Sequence, residues 1–169
     1  DELDLYLVHF PLAPAFVPFE VRYPTGWIFD PGAAAPAMRP IPVPYAETWG
    51  AMETLQRAGL VKRIGVCNLN VSLLRELLAA CEIRPAVNQV EMHPYLAQER
   101  LLRFCRNEAV AVTAFSPFGA GSYVPLGMAE GGDSVLLDPV VAAIAAAHGL
   151  SAARVVLRPA SEGTGVIAG

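Results

Sequence analysis

The chain has 169 residues, 54% of them hydrophobic, with a formal net charge of −4 and a mean hydropathy of +0.40. That length supports one domain with a real core, while the negative balance and the lack of any Lys/Arg cluster argue against nucleic acid or an anionic membrane as partner. The longest apolar stretch, residues 139–147, is too short to span a bilayer. No leader peptide is expected, since the chain opens on Asp-Glu and a strand. Cys67, Cys81 and Cys105 lack metal-ligand spacing and read as reduced thiols of a cytoplasmic or plastid-stromal protein.

The first element is Leu3-Asp4-Leu5-Tyr6-Leu7-Val8-His9-Phe10-Pro11, apolar but for Asp4 up to His9 and closed by proline. Such a run reads as a strand buried on both faces, with His9 at its carboxyl end, where ligands gather in parallel α/β folds. Residues 10–45 form a long insertion that holds nine of the fifteen prolines. A loop of that length in a compact domain is usually functional or disordered. Its aromatics Phe16, Phe19, Tyr23, Trp27 and Phe29 favour packing, and its position at the tip of the first strand suits a pocket wall.

Trp49, Met52 and Leu55 at helical spacing predict a helix over 47–58, stopped by Gly59. A strand follows at 61–67, with Asn68-Leu69-Asn70 at its tip. Asn70 can cap a helix whose apolar face is Leu73, Leu74, Leu77 and Leu78. The pattern then predicts a strand at 85–90 ending in polar Asn88 and Gln89, a loop through His93-Pro94-Tyr95, and a helix at 98–106. A strand at 110–115 runs into Ser116-Pro117-Phe118-Gly119. Gly131-Gly132 precedes helices at about 139–148 and 151–157, and a fifth strand is expected over 163–167. Strands alternating with helices imply right-handed βαβ units and a parallel sheet. Five strands make part of a barrel that typically needs about 250 residues. An open doubly wound sheet is the competing architecture, weakened by the lack of a G-x-G-x-x-G fingerprint.

Four stretches carry a resemblance. The opening strand, Gly65-Val66-Cys67-Asn68, Pro85-Ala86-Val87-Asn88-Gln89 with His93-Pro94-Tyr95, and Thr113-Ala114-Phe115-Ser116-Pro117-Phe118-Gly119 are similar in order and spacing to the aldo-keto reductases. The insertion with Arg22-Tyr23-Pro24 and Gly26-Trp27 resembles the xylose-reductase branch. The likeness runs to about residue 158 and departs at Ile167-Ala168-Gly169, where the family has Ile-Pro-Lys-Ser. It implies an α/β fold, a partial (β/α)8 TIM barrel in which residues 1–169 are one partial domain supplying strands four to eight. The three preceding βα units and the C-terminal cofactor loop would lie outside the match.

The resemblance also implies reduction of an aldehyde, ketone or aldose to an alcohol by NADPH (or NADH). A tyrosine protonates the carbonyl oxygen, a lysine–aspartate pair tunes the tyrosine, and a histidine orients the substrate. Only the histidine has a matching position, His9, so the chain alone is expected to be inactive. By spacing alone, His9 reads more readily as a satisfied buried histidine. Resemblance assigns Cys67, Asn68 and Gln89 to the nicotinamide carboxamide, Cys67 standing where the family commonly has Ser. Without it, Asn68 and Gln89 read more readily as loop caps. Phe115 would stack under the nicotinamide ring, and Ser116, Phe118 and Gly119 would form a phosphate-binding loop. Phe10 and Trp27 are candidates for an apolar substrate pocket, and His93-Pro94-Tyr95 reads as a loop brace. Cys81 and Cys105 read as core. No metal is expected. The expected partner is a small carbonyl compound, with self-association through open barrel edges. The alternative is a truncated or degenerate relative that binds or interacts without catalysis.

Overall fold

The computed structural model describes residues 2–23, 26–119, 123–124, 127–130, 132–161 and 165–166. Of the sequence motifs, Pro24, Gly131, the flanks of the fifth strand and Ile167-Ala168-Gly169 lie outside the described residues. Five parallel strands form one sheet: β1 (Leu3–Val8), β2 (Val61–Cys67), β3 (Val87–Glu91), β4 (Ala111–Phe115) and β5 (Gly165–Val166). The helices between them are α1 (Tyr45–Arg57), α2 (Val71–Ala80), α3 (Glu99–Asn107), α4 (Pro139–His148) and α5 (Ala152–Ser161). The strands sit in the sheet in chain order. A doubly wound sheet reverses its order at a switch point; steady progression in one direction is how a barrel is wound, so the fold is that of a partial TIM barrel.

The helices form where sequence periodicity puts them, with ends shifted by at most four residues and those of α4 not at all. Asn70 caps α2 as expected, its side chain accepting the Leu73 N–H at 3.0 Å. Of the α2 apolar face, Leu74 and Leu77 are buried while Leu73 stays 37% exposed. Asp138 caps α4 by accepting from Val140 and Val141 N–H, with Pro139 at the first helical position. The main core lies between the sheet and helices α1 to α3. Trp49 and Met52, Leu74 and Leu77, and Leu101 and Cys105 pack on Ile64 and Val66 of β2, Val90 of β3 and Val112 of β4. These strand residues share one face by the period-two rule. A second cluster joins Val135, Val141 and Val156 with Phe118. Among the described residues no single helix is long and apolar enough to cross a membrane; α4 and α5 would suffice together but meet at 97°.

Two expectations are corrected. First, β1 is not buried on both faces: Leu3, Leu5 and Tyr6 are 57%, 44% and 45% exposed. It is the edge of the sheet and pairs with β2 alone. Second, the aromatics of the insertion do not form a packed cluster. Phe16, Phe19 and Tyr23 are exposed, and among the described residues only Trp27 and Phe29 make ring contacts outside their own turn, against His9 and Phe10 and beneath Arg39. The insertion is held instead by its backbone. Ala15 N–H donates to Arg39 O at 2.7 Å, Ile41 N–H to Ala13 O at 2.8 Å, and Phe29 N–H to Ala37 O at 3.0 Å. All three thiols are free. Cys105 is buried in α3, whereas Cys81 is only half-buried at the C-terminal cap of α2.

Gly65 occupies the position on β2 between Leu7 of β1 and Val87 of β3. A methyl group there would stand 2.7 Å from both side chains and 2.8 Å from the Val87 carbonyl. Gly65→Ala is therefore expected to lower stability by about 1–3 kcal/mol through overpacking against backbone, read as an earlier urea midpoint at unchanged slope.

Glu53, on the inner face of α1, is 5% exposed. Its Oε1 accepts the N–H groups of Glu82 and Ile83 at 2.8 and 2.9 Å, and its Oε2 accepts from Arg57 at 3.1 Å. Trp49 reaches the same turn, donating from Nε1 to Ile83 O at 3.0 Å, so α1 grips the connection that leads into β3. Burial alone would raise the Glu53 pKa, but the two backbone donors and Arg57 outweigh it and hold the carboxyl below its ordinary 4.5. Its stabilisation is therefore complete above that value and lost as pH falls through the lower folded-state value. Glu53→Gln should cost about 2 kcal/mol at neutral pH. The gap between variant and wild type should close on acidification, measured by urea unfolding across pH 3 to 7.

Candidate active site

Because every strand is parallel, all carboxyl ends emerge on one side of the sheet. The register pairs Val8 with Val66, Cys67 with Gln89, Gln89 with Thr113, and Glu91 with Phe115. His9 follows Val8 and so stands level with Cys67. His9, Cys67, Gln89 and Thr113 therefore form one row across four strands, with Phe115 one step further out on the same face.

Asn68 turns the chain out of β2. It has φ 62°, a left-handed conformation that asparagine tolerates better than most residues. Its N–H donates to Gln89 O at 2.9 Å and its Nδ2 to His9 O at 3.0 Å. The loop-bracing role that residue type alone allows is therefore observed, and the side-chain oxygen remains as an acceptor. Beside it, Asn88 is fully buried on the helix-facing side and clasps Leu69, donating to its carbonyl at 2.9 Å and accepting from its N–H at 3.4 Å. Asn88 and Gln89, adjacent in sequence, thus face opposite ways. Gln89 is half-buried, and its side chain makes no hydrogen bond to a described residue.

Cys67 is 2% exposed, and burial pushes its thiol pKa up. It is a neutral thiol and no nucleophile. The exposed His9 ring lies 5.5 Å from the Trp27 ring and 6.1 Å from that of Phe10, while Phe10 and Trp27 meet edge-on at 5.1 Å. Neither ring nitrogen of His9 bonds to a described residue. These three rings, with Val8, Leu12 and Pro14, line a pocket of about 460 Å³. An apolar pocket with one unpaired histidine can seat a small substrate and present a donor to its oxygen.

Beyond β4, half-buried Phe115 leads into a tight turn. Ser116 has φ 47° and Gly119 φ 66°, and Gly119 N–H donates to Ser116 O at 2.9 Å. The Ser116 hydroxyl has no partner among the described residues. A Cβ on Gly119 would lie 3.2 Å from Val135 and 3.6 Å from the His93 ring. The Phe118 side chain is anchored in the Val135–Val141–Val156 cluster, which leaves only its backbone for a ligand.

A cluster that sequence reading did not anticipate ties these loops together. Glu91 Oε1 lies 3.1 Å from His93 Nε2, and Glu91 Oε2 accepts from the Tyr123 hydroxyl. That hydrogen bond, chiefly, raises the Tyr123 pKa to about 12. Tyr95 meanwhile donates to the Asp138 cap at 2.7 Å. His93 and Tyr95 are thus braces, as their loop position suggested. The Glu91–Tyr123 pair spans 32 residues and has no sequence periodicity to reveal it.

Comparison with known proteins identifies the family of the fold. A profile of the aldo/keto reductase family matches residues 1–168. The chain is 45% identical over 164 residues to a probable NAD(P)H-dependent D-xylose reductase of Emericella nidulans, covering 96% of this chain and 50% of that protein. It is 44% identical over 161 residues to an NAD(P)H-dependent D-xylose reductase of Pyricularia oryzae, at 94% and 49% coverage. Against that of Scheffersomyces stipitis it is 43% identical over 164 residues, at 96% and 51%. The chain spans about half the length of these curated relatives. By profile, by relatives and by strand order, it belongs to the aldo/keto reductase family.

Proposed function

We propose that this chain forms the substrate-orienting and nicotinamide-binding half of an NAD(P)H-dependent reductase that converts an aldehyde, ketone or aldose to an alcohol. The observation that carries the reading is the row of strand tips: His9, Cys67, Gln89 and Phe115 on one face of adjacent parallel strands, with Trp27 folded onto His9. The naming of the relatives as D-xylose reductases favours an aldose substrate.

The donor set fits a nicotinamide cofactor. A carboxamide needs both an acceptor and a donor; the unpaired Gln89 amide offers both and Asn68 Oδ1 offers a second acceptor. The buried Cys67 thiol adds a weak partner beside them. Phe115 supplies an apolar face for a flat ring, and the 116–119 turn supplies the Ser116 hydroxyl and the backbone around Phe118 and Gly119 for a phosphate. When bound, the reduced cofactor supplies hydride. His9 donates a hydrogen bond to the carbonyl oxygen and so fixes the carbon facing the ring, while Phe10 and Trp27 exclude water from that oxygen. In the family pattern the protonating tyrosine and its lysine–aspartate pair lie outside residues 1–169. These residues alone are therefore proposed to be catalytically silent.

The full-length coding sequence should yield a protein that oxidises NADPH with D-xylose or glyceraldehyde. His9→Ala in it should lose about 100-fold in kcat/KM for the carbonyl substrate while cofactor affinity holds. Equal loss in cofactor binding would point to a structural role only. Residues 1–169 purified alone should show no turnover above background, and measurable turnover would overturn that division of labour. The exposed Leu3, Leu5 and Tyr6 of β1 leave an unpaired apolar edge. We expect the isolated residues 1–169 to self-associate, and a monomer by light scattering with a sharp, reversible melt would contradict this.

A further inference from the structure

The insertion holds a second pocket, of about 310 Å³, which the reading above leaves unused. Its wall combines the aromatic rings of Phe16, Phe19, Trp27 and Phe29 with two arginines, Arg22 and Arg39, and includes no acidic residue. Neither guanidinium forms an ion pair with a described residue. Arg39 Cζ lies over the Phe29 ring at 5.0 Å from its centroid, a cation–π contact that uses the face of the guanidinium and no N–H donor. Arg22 Nε is buried and has no acceptor among the described residues, which is costly for a charged donor unless a ligand completes the bond. Of the insertion's acids, neither Glu20 nor Asp30 forms an ion pair with Arg22; Asp30, which lines a neighbouring pocket with Arg22, takes the Gly32 N–H on Oδ1 at 2.9 Å. Pro14, Gly26 and Trp27 line both this pocket and the one that contains His9, so the two adjoin across the indole.

We propose that Arg22 and Arg39 form an oxyanion subsite that holds the far end of an aldose whose carbonyl lies at His9, favouring substrates with a terminal carboxylate or phosphate. Two cations in an apolar surround pair well with a carboxylate or phosphate and poorly with a neutral hydroxymethyl group. The placement of the carbonyl rests on the reductase reading, whereas the anion subsite itself does not.

The test has a binding arm and a kinetic arm, both on the full-length protein. In the first, calorimetry compares D-gluconate, D-glucitol 6-phosphate and neutral D-glucitol. Either anion should bind about tenfold or more tightly than glucitol, and the stronger of the two identifies carboxylate or phosphate as the preferred end. The preference should weaken with added salt, vanish in Arg22→Gln/Arg39→Gln, and survive in Arg22→Lys/Arg39→Lys. Equal affinity for all three, or an anion preference that persists in the Gln variant, overturns the subsite. The Lys variant keeps the charge, so if the Gln variant fails to fold, loss of the anion preference in a folded Lys variant that keeps its salt dependence elsewhere also counts against it. In the second arm, the ratio of kcat/KM for D-glucuronate over D-glucose should fall about tenfold in the Gln variant. An unchanged ratio overturns the link to His9. Anion binding without any carbonyl reduction would sink the reductase reading and leave the subsite standing.

Discussion

The side chain of Asn68 donates to the His9 carbonyl at 3.0 Å, and its N–H donates to the Gln89 carbonyl at 2.9 Å. These two bonds join the carboxyl ends of β1, β2 and β3 just where the ladder stops. They require β2 to turn sharply at residue 68, which a left-handed asparagine permits. Without that turn the chain would continue along the sheet, and His9 and Gln89 would lose their common brace. Asn88 secures the same loop from the helix side through Leu69. One amide on each face of the sheet thus holds the rim of the pocket.

Parallel pairing in chain order supplies the rest of the geometry. Residue 65 has to be small because Leu7 and Val87 approach each other across it. The next row along each strand then carries His9, Cys67, Gln89 and Thr113 in step. Rigidity comes from behind, where α1 holds the turn into β3 through Glu53 and Trp49. From the other side, Glu91 and Tyr123 tie the loop after β4 to the end of β3. The site is placed on strand ends and braced from both faces of the sheet, by Glu53 and Trp49 behind it and by Glu91 on the same face as Gln89, which is how precise geometry is usually maintained.

Much of this was legible in the sequence because it rests on local periodicity. The five strands, the helices between them and the Asn70 cap follow from residue order. The conjunction of His9, Asn68, Gln89 and Phe115 followed from their positions at strand ends together with the family likeness. What was not legible depends on partners distant in sequence. The exposure of Leu3, Leu5 and Tyr6 follows from β1 pairing on one side only within the described residues, which a local apolar run does not show. Asn88 and Gln89 read alike until the register with Val66 and Cys67 assigns them opposite faces. Arg22 and Arg39 are separated by a proline-rich loop without period, and their convergence appears only in the folded insertion.

The central claim is that the tips of these adjacent strands share one mouth that receives a nicotinamide ring. A crystal structure of the full-length protein with NADP+ tests it most directly. The expected result is the ring lying against Phe115, with its carboxamide within hydrogen-bonding distance of Gln89 and its reactive face toward His9. A ring bound away from this row of residues, with Gln89 and Phe115 untouched, would contradict it.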